Sequence, residues 1–212
     1  MGRRASWPAS SPSSAASLDL EPRLVLASAS PRRARILRDL GVSFRVEVSH
    51  QDESLRPGED GRAAVERLAR AKALAVARAE TLPVLAADTE VLCDGHILGK
   101  PADEGDAVAM LRRLEGRAHE VVTGVCVVSR GVARSGVERS VVRFARMSEG
   151  ELLWYAATGE PLDKAGGYHV DGKGSLFIET VEGSPSNVAG LPVRLLLRLV
   201  READLELGLP GA

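Results

Sequence analysis

The sequence predicts an α/β fold built on a mixed sheet. Three observations carry that reading. Short apolar runs suited to buried strands alternate with amphipathic helical stretches through the first half, and longer strands adjacent in sequence follow in the middle. The chain of 212 residues is also 44% hydrophobic and 27% charged, the make-up of one ordinary soluble domain or two small ones, able to bury roughly two-thirds of its unfolded surface.

In chain order, residues 1–21 are rich in Ser, Ala and Pro, have no apolar period and read as a disordered tail. The domain is expected over 22–207, with a short C-terminal tail at 208–212. Leu24-Val25-Leu26-Ala27 is a buried strand, and Ser30 caps a helix with Pro31 at its first position, ending at Gly41. A strand from Phe44 to Val48 leads to the polar Asp52-Glu53 turn. Gly61 to Glu80 carries the 3.6-residue period of an amphipathic helix. Pro83 to Ala87 is a second buried strand that runs out into Asp88-Thr89, and Asp94-Gly95 signals a hairpin between Val91-Leu92-Cys93 and Ile97-Leu98. Asp103 caps a helix to Leu114. Val121 to Val128 and Val137 to Ala145 are two long strands joined near Gly131. Ser148 with Glu151 forms a capping box for a helix to Thr158. Lys164 to Gly174 reads as loop with one short strand, Leu176 to Val181 as a strand, and Leu191 to Glu206 as a closing helix. The sequence shows no internal repeat.

Charge and composition exclude several functions. Lys and Arg total 28 against 29 Asp and Glu, a net charge of -1, which argues against a nucleic-acid binder and leaves only a small polyanion as a charged partner. No apolar run approaches the roughly 18 residues of a membrane span, and the start lacks a secretory core, so a cytoplasmic protein with no membrane partner is expected. Cys93 and Cys126 are too few and too isolated for a zinc site or a disulfide framework and read as small buried hydrophobes. His50, His96 and His169 have no metal-ligand spacing and read as surface or structural. The lysines are sparse: Lys72, Lys100, Lys164 and Lys173. A chain that otherwise uses Arg keeps Lys where a compact ammonium is needed.

The chemistry-bearing segments point to phosphate. Ser-Ala-Ser-Pro-Arg-Arg at 28–33 joins a strand to a helix, so two hydroxyls, a helix N-terminus and the planar forks of Arg32 and Arg33 face the same anion. The glycine spacing and Lys-Ser/Thr of a P-loop are missing. Asp88 and Thr89 at the end of a strand stand where ligands bind in open α/β sheets, and Asp52-Glu53 offers a second carboxylate for a divalent ion. Lys100 is held between Gly99 and Pro101, and Lys72 lies on the helix of residues 61–80.

Together these segments resemble the Maf proteins, nucleoside triphosphate pyrophosphatases of the ITPase-like fold. The resemblance runs from Leu24 to Val200: Leu-Ala-Ser-Ala-Ser-Pro-Arg-Arg at 26–33, Asp52-Glu53, Ala87-Asp88-Thr89, Ile97-Leu98-Gly99-Lys100-Pro101, Gly116-Arg117-Ala118-His119 with Val122-Thr123-Gly124, Asp163-Lys164-Ala165-Gly166, and Asn187 to Pro192. It implies an ITPase-like (Maf) fold, a mixed twisted sheet flanked by helices. It also implies hydrolysis of a nucleoside triphosphate to the monophosphate and pyrophosphate with Mg²⁺ or Mn²⁺. Asp88 matches the family's proton acceptor. Ser28, Arg32 and Arg33 match the triphosphate contacts, and Glu53, Lys72 and Lys100 the remaining charged positions, which implies Asp88, Lys100 and Glu53 as catalytic residues, Lys72 as a substrate contact, and Glu53 and Asp88 as the metal carboxylates. Arg32, Thr89 and Asp171 match the base-selecting positions, and the Asp88-Thr89 pair is similar to the branch acting on dTTP and UTP. The resemblance suggests a homodimer. Two positions depart from the pattern: Glu90 stands where the family commonly has an apolar residue, and Asp171 where that branch carries Gln, which leaves the base preference open. An alternative is an interaction protein that senses nucleotides and affects cell division.

Overall fold

A computed structural model describes residues 21–209. The expected N-terminal tail lies, except for Glu21, outside the described residues. The elements run β1 (Leu24–Leu26), α1 (Pro31–Asp39), β2 (Phe44–Val46), α2 (Gly61–Ala77), β3 (Val84–Cys93), β4 (His96–Leu98), α3 (Glu104–Leu114), β5 (Ala118–Ser129), β6 (Val132–Phe144), α4 (Glu149–Ala157), β7 (Ile178–Glu182), α5 (Pro185–Val188) and α6 (Val193–Glu202).

The sheet has seven strands in the order β2-β1-β3-β5-β6-β7, with β4 paired to β3. β1 pairs in parallel with β2 and β3, and every other pairing is antiparallel. This is the mixed sheet flanked by helices that the sequence predicts. Its two faces bury different helices. Leu24, Leu26, Leu85 and Ala87 pack with Leu37 of α1 and with Leu195, Leu196 and Leu199 of α6. The alternate residues Val25, Val84 and Ala86 pack with Ala69, Ala73 and Val76 of α2. A third cluster, centred on Leu111, Phe144 and Tyr155, joins α3 and α4 to the far end of the sheet. The period-2 alternation of strands therefore decides which helix each residue of β3 meets.

Gly124 on β5 sets how close α2 comes. A Cβ there would stand 2.3 Å from the Val65 carbonyl oxygen, so only glycine lets the α2 backbone lie on the strand. Asp60 caps α2 by accepting from the N–H groups of Arg62 and Ala63.

Several boundaries differ from expectation. β3 does not stop at Asp88-Thr89. It continues to Cys93 because β5 pairs with it from Val84 to Leu92, and that ladder carries the polar residues through the sheet. Residues 164–174 contain 3₁₀ turns and no strand, since Gly166 and Gly167 take left-handed angles incompatible with a ladder. Residues 173–177 also form a 3₁₀ turn, so β7 begins at Ile178. Pro192 serves as the N-cap of α6 rather than lying within it, and α6 ends at Glu202. Leu207 and Leu209 pack into the core, so ordered packing passes the expected boundary at 207. The hairpin and the capping box are as expected: Asp94 and Gly95 take φ of 49° and 74°, and Ser148 and Glu151 exchange both bonds. Among the described residues no helix is long and apolar enough to cross a membrane.

Candidate active site

The site follows from a gap in the sheet. On one edge β3 pairs with β1 only as far as Leu85 and with β4 only from Val91. Between them residues 87–90 have β5 as their sole strand neighbour. A cavity of about 520 Å³ opens there, lined by Ser28, Ser30, Arg32 and Arg33 after β1, by Glu53, by Lys72 of α2, by Asp88, Thr89 and Glu90 of β3, by Lys100 after β4, and by Asp163, Lys164, Tyr168 and His169. The gap lies just beyond the carboxyl end of β1, where a parallel arrangement leaves room for ligands.

Alternation along β3 sends Asp88 toward α2. There Lys72 Nζ donates to Asp88 Oδ1 at 2.6 Å and lies 2.9 Å from Glu53 Oε1. Lys72 and Asp88 are 6% exposed, so this is a buried pair, whereas Glu53 is exposed. Lys72 is placed by the apolar stripe of α2, between Ala69 and Val76.

Thr89 points to the opposite face and meets Arg33 of α1. The Arg33 guanidinium is held at every nitrogen: Nε donates to the Gly190 carbonyl at 2.8 Å, Nη1 to Ser28 Oγ at 3.0 Å and Nη2 to Thr89 Oγ1 at 3.0 Å. Thr123 Oγ1 donates to the Asn187 carbonyl at 3.1 Å. Its one proton is thereby used, so Thr89 must be the donor in the 3.0 Å contact between the two threonines. The Thr89 hydroxyl thus has only acceptor capacity left for a ligand. Asn187, fully buried, donates to the Val121 carbonyl and Ser140 Oγ, which ties α5 and Gly190 to the sheet.

Arg32, the next residue of α1, is half-buried on the cavity wall. Burial pulls its guanidinium below the ordinary value, opposed by the carboxylates of Asp163 and Asp171. The first turn of α1 offers fewer open N–H groups than the sequence suggests: Pro31 has none, and Arg33's is capped by Ser30 Oγ. Its positive end acts mainly through the helix dipole.

Glu90 shares the α2-facing side with Asp88, so its carboxylate points into the site. Burial, reinforced by the Asp88 charge and opposed by Lys72 and Lys100, pushes it up to about 7. Its Oε2 is buried without a hydrogen-bond partner. The carboxylates of Glu53 and Asp88, which share Lys72, supply hard oxygens of the kind that Mg²⁺ or Mn²⁺ takes. Among the described residues no group of three or more His, Cys, Asp or Glu could hold an ion by itself. The set therefore fits an ion that shares its shell with substrate phosphates, as Mg²⁺ commonly does.

The cavity also carries rings and small side chains, Tyr168, His169, Ala165 and Val188, with Arg32 and Lys164 beside the His169 ring. His119 is buried, with Nε2 2.9 Å from the Tyr168 hydroxyl. Burial pushes His119 down to about 4, so it is neutral near pH 7. Nδ1 has no partner, which favours the tautomer donating from Nε2 and leaves the Tyr168 proton free.

Of the residues singled out in the sequence, Ser28, Arg32, Arg33, Glu53, Lys72, Asp88, Thr89 and Lys100 all line this cavity, whereas Asp171 sits exposed on a turn outside its walls. His169, read from sequence as a surface or structural residue, is part of the wall. Lys164, marked in the sequence only as one of the sparse lysines, is also on the wall, whereas sequence reasoning assigned no role to Tyr168, Asp163 or Asn187.

Comparison with known proteins agrees with that resemblance. A family model described as Maf-like protein matches residues 23–203. The chain is 53% identical over 186 residues to the dTTP/UTP pyrophosphatase of Anaeromyxobacter sp. (strain Fw109-5), covering 85% of this chain and 89% of that one. It is 49% identical to the dTTP/UTP pyrophosphatase of Myxococcus xanthus (strain DK1622), covering 87% and 94%. The corresponding figures for the relative of the same name in Deinococcus radiodurans are 48%, 87% and 94%. Among solved structures, the Staphylococcus aureus Ham1 protein is similar at 15% identity, covering 67% of this chain and 80% of that one with a TM-score of 0.42, too distant to bear on chemistry.

Proposed function

Since the chain belongs to the Maf family, we propose that it is a nucleoside triphosphate pyrophosphatase, cleaving the α–β phosphoanhydride to release a monophosphate and pyrophosphate. The observation that carries this is the buried Lys72–Asp88 pair in a cavity also lined by Arg32, Arg33 and Lys100. Relatives at this identity are named dTTP/UTP pyrophosphatases, and pyrimidine triphosphates are the proposed substrates. Those names give no support to a nucleotide-sensing interaction protein.

The triphosphate carries about four negative charges. Arg32, Arg33, Lys100 and the positive end of α1 gather it, with Ser28 donating its free hydroxyl proton. Asp88 orients a water and accepts its proton as the bond to phosphorus forms. Lys72 fixes which Asp88 oxygen faces the water by binding the other. Glu53 and Asp88 would hold a divalent ion, which when bound neutralises charge developing on the leaving pyrophosphate. Asp171, exposed beside Arg32, acts on base choice through that guanidinium rather than from the wall. The test is a panel of nucleoside triphosphates incubated with Mg²⁺ or Mn²⁺, with pyrophosphate release measured. UTP and dTTP are expected to lead the panel. Absence of release from every triphosphate would defeat the reading.

A further inference from the structure

One cluster behind the cavity has no part in the scheme above. Tyr155 of α4 is fully buried. Its hydroxyl donates to Glu160 Oε1 at 2.8 Å and accepts from the His169 N–H at 3.0 Å. Glu160 Oε1 also accepts from the Gly174 N–H at 3.0 Å, and Oε2 from the Lys173 N–H at 3.1 Å. Three backbone donors from the segment 169–174 therefore end on two side chains of another segment. The fit is close: a Cβ on Gly174 would stand 2.5 Å from the Tyr155 hydroxyl oxygen and 2.9 Å from the His169 nitrogen. Burial pushes the Glu160 carboxyl up, but the Gly174 and Lys173 N–H groups and the Tyr155 hydroxyl outweigh this and hold it below its ordinary value.

Residues 169–173 are all half-buried or exposed, so apolar packing does little to fix this turn. Its place is set by hydrogen bonds, chiefly those to Tyr155 and Glu160. The turn starts at His169 and follows Tyr168, and both line the cavity, with Arg32 and Lys164 near enough to act on the His169 ring. The two rings offer faces for an uncharged base to lie against, while the cations of the same cavity suit phosphate.

We propose that the Tyr155–Glu160 pair is the positioning device for the nucleobase end of the site: it fixes the turn bearing His169 and Asp171, and so sets the choice among bases. This rests on the nucleotide reading of the cavity. A carboxylate suits the task because it is acceptor-only and meets three donors. In Glu160→Gln, whichever way the amide turns, its NH₂ faces a backbone N–H. Tyr155→Phe keeps the ring and removes the bonds to both Glu160 and His169.

Both variants are made in the full chain. Two measurements are taken: kcat/KM for UTP, dTTP, CTP and GTP, and calorimetric binding of α,β-imido-UTP and of inorganic tripolyphosphate. The proposal expects imido-UTP to bind about tenfold more weakly while tripolyphosphate stays within about twofold. It expects the UTP to CTP ratio to fall by about fivefold or more, with KM moving more than kcat. A purely structural pair would lower the melting temperature and the active fraction and leave those ratios untouched. That result, or equal weakening of both ligands, overturns the proposal. Should the wild type bind imido-UTP yet release no pyrophosphate from UTP, the hydrolase reading falls, and the binding comparison still decides the positioning role.

Discussion

Glu90 makes the stability of this protein depend on pH in a direction opposite to that of a paired carboxylate. Its carboxyl is raised from the ordinary 4.5 to about 7, first by burial and then by Asp88. In the unfolded chain it ionises near 4.5, while in the fold it keeps its proton until about 7. The folded state thus holds the proton more tightly. This contribution is fully present below the unfolded value, is lost as pH rises through the folded value, and leaves a constant deficit above it. At about 1.36 kcal/mol per pH step the deficit is about 3 kcal/mol. Partial exposure of the side chain reduces it to roughly 2–3 kcal/mol through solvent screening. Glu90→Gln has the same shape and no proton to lose. It should therefore match the wild type near pH 4.5 and exceed it by about 2–3 kcal/mol at pH 8, a gain of roughly 5–10 °C in Tm for a domain of this size. Thermal unfolding of both proteins across that range tests it, and the difference between them cancels the titrating groups that do not interact with Glu90. A Tm difference that does not change with pH would show that the Glu90 carboxylate is solvated, and the argument from its unpartnered Oε2 would fail.

Further outcomes follow from the same contacts. Lys72→Met leaves the buried Asp88 carboxylate without its cation and should cost about 3–5 kcal/mol in denaturant unfolding, most of it recovered in the double variant with Asp88→Asn. A cost under about 1 kcal/mol would show that the pair is not buried in solution. Thr89→Val cuts the path from Arg33 through Thr123 to Asn187 and should raise KM for the triphosphate about tenfold, whereas an unchanged KM would mean Arg33 does not need Thr89 to hold its place. The setting between Gly99 and Pro101 marks Lys100 in the sequence as the tightly held cation, but Lys100 is exposed on the rim and Lys72 is the enclosed one. Turnover should therefore survive Lys100→Arg and collapse in Lys72→Arg; the reverse order would contradict the assignment of the tight position to Lys72.

Lys72 and Asp88 show how far the sequence reached. Both were recognisable singly, one as a rare lysine and one as a carboxylate after an apolar run. Their pairing was not, because it depends on α2 lying against Gly124 and on strand alternation aiming Asp88 at that helix. Reading β3 as ending at Asp88 missed the antiparallel partner β5, and a long-range ladder of this kind leaves no local mark. Helix starts were legible where caps were: Ser30, Asp103 and Ser148 each accept the backbone bond expected. The 164–174 segment was least legible, since its second half is held by Tyr155 and Glu160, residues outside it whose roles no spacing reveals. Asp171 was drawn into the site by family resemblance, while its exposed place on the turn depends on that same pair.

The account stands most directly on Asp88 as the proton acceptor in cleavage of the α–β bond. ³¹P NMR of UTP and Mg²⁺ incubated with the wild type and with Asp88→Asn reads both the bond broken and the residue responsible. The wild type should give UMP and pyrophosphate only. The variant should lose about 10²- to 10⁴-fold in rate while binding α,β-imido-UTP nearly as well. UDP and inorganic phosphate from the wild type, or a variant retaining more than about half the wild-type rate, would contradict the account.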